Sequence, residues 1–247
     1  MKVLHEVDLG ELNEIRKLQD RQRQLHLPIM PVTFIDLVVR GEDGVIKQKY
    51  SDRSKSWVRN MYNFIAMQHF GAGIGSMGNV YGEGTLVMRS TAGGISSSTL
   101  VAVSPREVSV GSGSRHFRSA GWGDTEHGII LGSGNKEEDF NDFNLETLIT
   151  HGTSSGQMFY GDMPELSPFW DSENRKAVCL ITRSCTNSSG SAVSVNEIGL
   201  RCSLYASSTS FTITTSYTVS RDKLSGTILV DDGDILDCVY TIESFYP

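Results

Sequence analysis

The period of apolar and polar positions changes along this chain, and the changes mark its elements. Leu12, Ile15, Leu18 and Leu25 recur at helical spacing, with Glu14, Arg16, Lys17, Asp20, Arg21 and Arg23 on the other faces. Asp8 and Glu11 frame a capping box ahead of them, and Pro28 cannot continue a helix. The pattern predicts one amphipathic helix over roughly residues 9–26. Leu4, Leu18 and Leu25 share a heptad position, but the run is too short for a coiled coil. After Pro31 the period shortens. Val32 to Val39 is rich in β-branched residues, Gly41-Glu42-Asp43-Gly44 supplies a turn, and Val45 to Tyr50 returns as a second strand. Ser54 or Ser56 then caps a second helix reaching about Phe70, with Trp57, Met61, Phe64, Ile65 and Gln68 on one face. Trp57, if fully buried there, contributes about 3–5 kcal/mol.

From Gly71 to Gly161 the pattern weakens. Short apolar runs (Thr85–Met88, Thr99–Val103, Ile129–Leu131) stand between glycine and serine punctuation. They read as short strands with long connections, part of which neighbouring subunits would order. Alternation is clear again in Ala177–Thr182, Ala192–Leu204 and Phe211–Val219, while Thr227–Val230 and Ile235–Ile242 flank Asp231-Asp232-Gly233-Asp234. Four or five antiparallel strands joined by hairpins follow. The expected fold is therefore mainly β. It is an antiparallel β-sandwich or jelly-roll-like body over residues 31–247, with a helical arm over residues 1–30 and one packed helix.

Composition supports a division of texture. The first serine is Ser51, and only Gly10, Gly41 and Gly44 of the 25 glycines precede Gly71. A uniform bundle or a repeat array is excluded by that unevenness. The formal net charge of -7 gives no basic footprint for nucleic acid. No apolar run approaches the roughly 20 residues of a membrane span, and the acidic residues near the N-terminus do not suit a signal peptide, so neither export nor membrane insertion is expected. Cys179, Cys185, Cys202 and Cys238 match no metal-binding spacing and read as buried free thiols in strands, a Cys179–Cys185 bridge across a tight turn being the alternative.

Several motifs tempt a catalytic reading. Gly152-Thr153-Ser154-Ser155-Gly156 fits a nucleophile elbow beside His151, but the following segment is too short for the helix, and no later histidine completes the order. Gly73-Ile74-Gly75-Ser76-Met77-Gly78 fits a dinucleotide fingerprint in the reversed context, after a helix and before a turn. His116, Asp124, Glu126 and His127 lie close in sequence without the spacing of a zinc protease, and Asp231, Asp232 and Asp234 lack the remaining ligands of a calcium loop. Asn187-Ser188-Ser189 is a formal glycosylation sequon that, without export, is only a turn. No cofactor or metal is expected. Trp122 and Trp170 sit in Gly- or Pro-flanked loops, as either a sugar-stacking platform or a plug over the end of the sandwich.

Taken in order, five segments carry a resemblance. They are Ser54 to Ile65, Gly128-Ile129-Ile130-Leu131-Gly132-Ser133-Gly134, and Asp139-Phe140-Asn141-Asp142-Phe143-Asn144-Leu145 leading to Ile149-Thr150-His151-Gly152. Val195-Asn196-Glu197-Ile198-Gly199-Leu200 and Arg221-Asp222-Lys223-Leu224 follow. Together the chain resembles a family of tailed-bacteriophage virion proteins over about residues 32–247. The resemblance implies a non-enzymatic building block of the particle, β-rich and oligomeric, with no catalytic residues to carry over. Its expected location is the virion, after synthesis in the host cytoplasm. The expected partners are other capsid, neck or tail proteins and further copies of the chain, a trimer being favoured. Leu12, Ile15, Leu18 and Leu25 are the attachment candidates, unless that helix packs on its own body. The competing expectation is a carbohydrate-binding module that recognises a host-surface glycan through Trp122 or Trp170.

Overall fold

The computed structural model describes residues 31–54, 57–63, 88–96, 120–164, 168–208 and 211–245, with two isolated helical positions, Lys17 and Arg21. The described body is mainly β and antiparallel, as the alternation predicts. Its strands are β1 (Val32–Arg40), β2 (Ile46–Ser54), β3 (Met88–Arg89), β4 (Ile95–Ser96), β5 (Gly128–Gly132) and β6 (Phe159–Tyr160). They continue with β7 (Phe169–Asp171), β8 (Lys176–Thr186), β9 (Val193–Ser208), β10 (Phe211–Val230) and β11 (Ile235–Phe245). One sheet has the order β2-β1-β11-β8-β6, with β7 also pairing β8, and a second has the order β10-β9-β5. β3 and β4 form a separate hairpin.

The two larger sheets pack in a sandwich-like arrangement, and every second residue explains why. Ile35, Leu37 and Val39 from β1, Leu236, Cys238 and Tyr240 from β11, and Ile181 and Cys185 from β8 supply one wall of the core. Ile129 and Leu131 from β5, Val195 and Leu200 from β9, and Val219 and Ile228 from β10 supply the other. β1 differs from a half-buried strand. Phe34, Asp36 and Val38, which point to its opposite face, are buried as well. A nearly continuous apolar run is the sequence form of such a strand.

Two expected strands merge. Phe211–Val219 and Thr227–Val230 belong to the single 20-residue β10, whose register on β9 shifts between Thr218 and Ser220 and again between Lys223 and Ile228. Bulges absorb the Ser225-Gly226 interruption instead of ending the strand. At the second shift β10 meets β2 of the other sheet. The Gln48 side chain donates to Thr227 O and accepts from Leu229 N, both at 3.2 Å, and Tyr50 Oη accepts from Ser225 N at 3.3 Å.

The second helix differs from its expected form. Residues 59–63 are helical, but Trp57 precedes them in an isolated bridge to Ser220, and Ser54 ends β2. The Ser54 hydroxyl donates to Asp222 at 2.9 Å, so it serves the sheet junction and caps nothing. Trp57 is half-buried, with Nε1 donating to Pro31 O at 3.4 Å, which lowers its expected contribution to about 2 kcal/mol. Val58 and Met61 carry the buried side of this segment. Phe64, Ile65 and Gln68, the Asp8 capping box, and the fingerprint-like glycines Gly73 to Gly78 lie outside the described residues.

All four cysteines are free. Cys179 and Cys185 lie on one continuous strand, β8, with no turn between them. Six residues of strand span about 20 Å, several times the reach of a disulfide, so the alternative bridge is excluded. Burial alone pushes the Cys202 thiol up to about 12, leaving it without thiolate character. Asn187, the sequon asparagine, is fully buried and donates to Val230 O at 2.7 Å and Ser191 O at 2.8 Å. It ties the β8–β9 connection to the β10–β11 hairpin. The Asp231–Asp234 segment is that hairpin's turn, with buried Asp234 accepting from Lys47 Nζ at 2.8 Å. No described helix is long and apolar enough to cross a membrane.

Candidate functional site

Exposed aromatic surface gathers at one end of β8. The turn Gly121-Trp122-Gly123-Asp124 closes through Asp124 N donating to Gly121 O at 3.0 Å, and Gly123 N donates to Tyr160 O at 2.9 Å. Gly123 takes φ +74, and a Cβ there would lie 3.1 Å from the His151 ring, so both its conformation and its space favour glycine. The turn presents Trp122 with 61% of its surface exposed. Trp122 meets His151 and Phe159 edge-on, each with ring centroids 5.0 Å away. His151 is fixed from behind, because its Nδ1 accepts from Tyr160 N at 3.1 Å. The three rings form a cluster in which most of the indole surface is open to solvent.

A buried arginine holds this cluster in place. Arg183 on β8 is 1% exposed and donates to four backbone carbonyls: Gly161 O at 3.0 Å, Ile129 O at 2.9 Å, Gly121 O at 3.2 Å and His127 O at 3.3 Å. Its guanidinium also lies 4.8 Å from the Tyr160 ring centroid. Burial pulls the Arg183 pKa below its ordinary value. Tyr160 is itself fully buried, donating to Ile149 O at 2.8 Å, and burial pushes its phenol well up.

Trp170 does not join the cluster. It lies on β7 opposite Ala177, whereas Phe159 lies opposite Thr186, nine positions along the same strand. That separation is about 30 Å. Trp122 and Trp170 are therefore two separate exposed surfaces. His151 and Phe159 are members of the first surface that the spacing in the sequence does not reveal.

A second arginine centre organises the loop that leaves β5. Glu197, fully buried on β9, accepts from Gly134 N at 3.2 Å, Glu146 N at 3.1 Å, Thr147 N at 2.9 Å and Arg221 Nε at 2.8 Å. Arg221 continues to Asp142 Oδ2 at 2.7 Å and Lys136 O at 2.8 Å. A Cβ at Gly132 or Gly134 would come within 2.5 Å of the Glu197 carboxylate, so the Gly-Ser-Gly spacing is what admits it. Burial alone would lower Arg221, but Glu197 and Asp142 overcome it and raise its pKa. Arg201, also buried, donates to Thr125 O at 2.6 Å and to Asn144 Oδ1.

The other motifs resolve into structure. Ser154 lies in an exposed bend, and the segment after it enters β6 instead of a helix, so there is no nucleophile elbow. His127 Nδ1 pairs with Asp124 Oδ2 at 2.8 Å, and Glu126 faces Arg201 at 3.6 Å. His116 lies outside the described residues, among which no cluster of metal-ligating side chains gathers. Leu12, Ile15, Leu18 and Leu25 are also outside them. Lys17 and Arg21, one turn apart, are helical and exposed.

Comparison with protein-family models, curated proteins and solved structures finds no match to this chain.

Proposed function

We propose that this chain is a non-enzymatic structural component of a tailed-phage virion, assembling with further copies of itself and with other capsid, neck or tail proteins. One observation carries the reading. Four of the five segments on which the resemblance rests meet in one buried network: Gly132 and Gly134, Asp142, Glu197 and Arg221 lock the loop after β5 onto the β9–β10 pair. Residues used this way hold a scaffold. Assembly then falls to the surface and to the N-terminal stripe of Leu12, Ile15, Leu18 and Leu25. Sedimentation velocity over a concentration series tests this, with co-purification from gradient-banded particles as the second readout. The reading requires a concentration-dependent oligomer that cofractionates with particles. A monomer at every concentration that stays at the top of the gradient contradicts it.

The exposed Trp122 cluster favours a second reading, a glycan-binding surface that contacts the host. Glycan-array binding lost in Trp122→Ala but retained in Trp170→Ala would support it at this cluster. The reverse result would move the platform to β7.

A further inference from the structure

Two clefts in the described body are lined by ionic side chains, and they differ in how those charges are satisfied. The first, between β2 and β10, is lined by Asp52, Arg53, Glu137, Glu138, Asp222 and Lys223. Four carboxylates there face two cations, and most are engaged: Lys223 pairs with Glu137, Glu138 accepts from Lys223 N at 2.9 Å, and Asp222 accepts from Ser54, Ser220 and Tyr240 hydroxyls. The second is a cavity of about 210 Å³ lined by Arg59, Asn60, Arg89, Gly93, Asn141, Asp142 and Phe143. Here the only carboxylate among the described residues, Asp142, is already engaged by Arg221 at 2.7 Å and Lys136 at 2.9 Å. Neither Arg59 nor Arg89 forms an ion pair among the described residues, in a chain whose formal net charge is -7.

We infer that this cleft is a binding site for a carbon-borne carboxylate, held by Arg59 and Arg89 beside the Phe143 ring. The site is built in advance. Asn60 is buried and grips the backbone of Arg89 on both sides, Nδ2 donating to its carbonyl at 2.8 Å and Oδ1 accepting from its N–H at 2.9 Å. The Arg89 guanidinium lies over Phe143, 3.7 Å from the ring centroid, and its Nε reaches Gly93 O at 3.4 Å. That stacking fixes the guanidinium plane and leaves its terminal N–H groups to form a fork. Arg59 is anchored by its own N–H donating to Phe140 O at 2.7 Å, and the β3–β4 turn by Thr91 N donating to Ser216 O at 3.0 Å. The volume lies below the roughly 300 Å³ at which drug-sized pockets begin, so the ligand is one small group, such as an acidic sugar ring or a single acidic side chain. An apolar ring beside two forks suits a planar carboxylate on carbon better than a free, strongly hydrated phosphate. The inference does not depend on either reading of function above.

The experiment follows the arginine Nε–Hε resonances of ¹⁵N-labelled protein during separate titrations with D-glucuronate, N-acetyl-L-glutamate and inorganic phosphate. The expected result is saturable shifts at Arg59 and Arg89 in the millimolar range with the carboxylates, while Arg53 and Arg175, outside the cleft, stay still. Arg59→Gln and Arg89→Gln should each weaken binding at least about tenfold, and Arg89→Lys should recover only part, because a point charge replaces the fork. Both side chains are exposed, so unchanged backbone amide spectra will show that the variants fold. Tighter glucuronate binding assigns the carboxylate to an acidic sugar. Tighter N-acetylglutamate binding, with self-association weakened in Arg59→Gln, assigns it to an acidic side chain of a second copy. Phosphate binding tighter than both carboxylates, equal shifts at all four arginines, or no saturable shift overturns the inference.

Discussion

Arg183 and Arg221 are both 1% exposed, and each fixes a loop on one side of β5, yet they are satisfied in opposite ways. Arg183 hydrogen-bonds backbone carbonyls beside a tyrosine ring, with the Asp124 carboxylate acting only from farther off, and burial lowers its pKa. Arg221 faces two carboxylates, Glu197 and Asp142, and its pKa is raised. A cation among carbonyls leaves only neutral dipoles behind when it is removed. A cation between carboxylates leaves a buried charge. The aromatic end of the molecule should therefore tolerate change better than the loop over residues 133–147.

The largest test is Arg221→Met. It strands the Glu197 carboxylate in the core, and we expect a loss of about 3–5 kcal/mol in urea unfolding. Arg183→Met leaves four carbonyls short of donors while relieving the arginine's own desolvation, so a smaller loss of about 2–3 kcal/mol is expected. A larger loss for Arg183→Met than for Arg221→Met would break the comparison. Trp57→Ala should cost about 2 kcal/mol, because the indole is half-buried between β10 and the start of β1.

Acid should separate the two regions without mutation. Burial would raise the Asp142 carboxyl, but hydrogen bonds from Lys136, Asp139 N and Arg221 hold it below its ordinary value. A depressed pKa supplies stability that is fully present above about pH 4 and is lost as pH falls through the lower, folded-state value. Backbone amides of residues 133–147 should then exchange faster below about pH 4, before those of residues 120–127, whose anchor is Arg183. Simultaneous loosening of both loops would show that the carboxylate pairing does not distinguish them. The smallest effect belongs to Trp122→Ala, with less than about 1 kcal/mol expected because most of the indole already faces water.

The parts of this fold that the sequence foretold are those with short-range signals. Val32–Val39 and its turn predicted the β1–β2 hairpin, and Asp231-Asp232-Gly233-Asp234 predicted the turn before β11, because alternation and turn residues act over a few positions. The joining of Phe211–Val219 to Thr227–Val230 was hidden, since a bulge spends residues that read as a break. The arginine centres were hidden for another reason. Arg183 serves Gly121 and His127, and Arg221 serves Lys136 and Asp142, partners chosen by sheet register and not by spacing. Trp122 was visible from its flanking glycines, whereas His151 and Phe159 reach it only through the loop and strand that place them beside β8.

The central proposal is that this scaffold belongs to a phage particle, and immunogold labelling of intact, gradient-purified particles tests it most directly. The account predicts gold at one recurrent position on each particle, on the head, the neck or the tail. Particles that carry no label, with the protein found only in the lysate of infected cells, would contradict it.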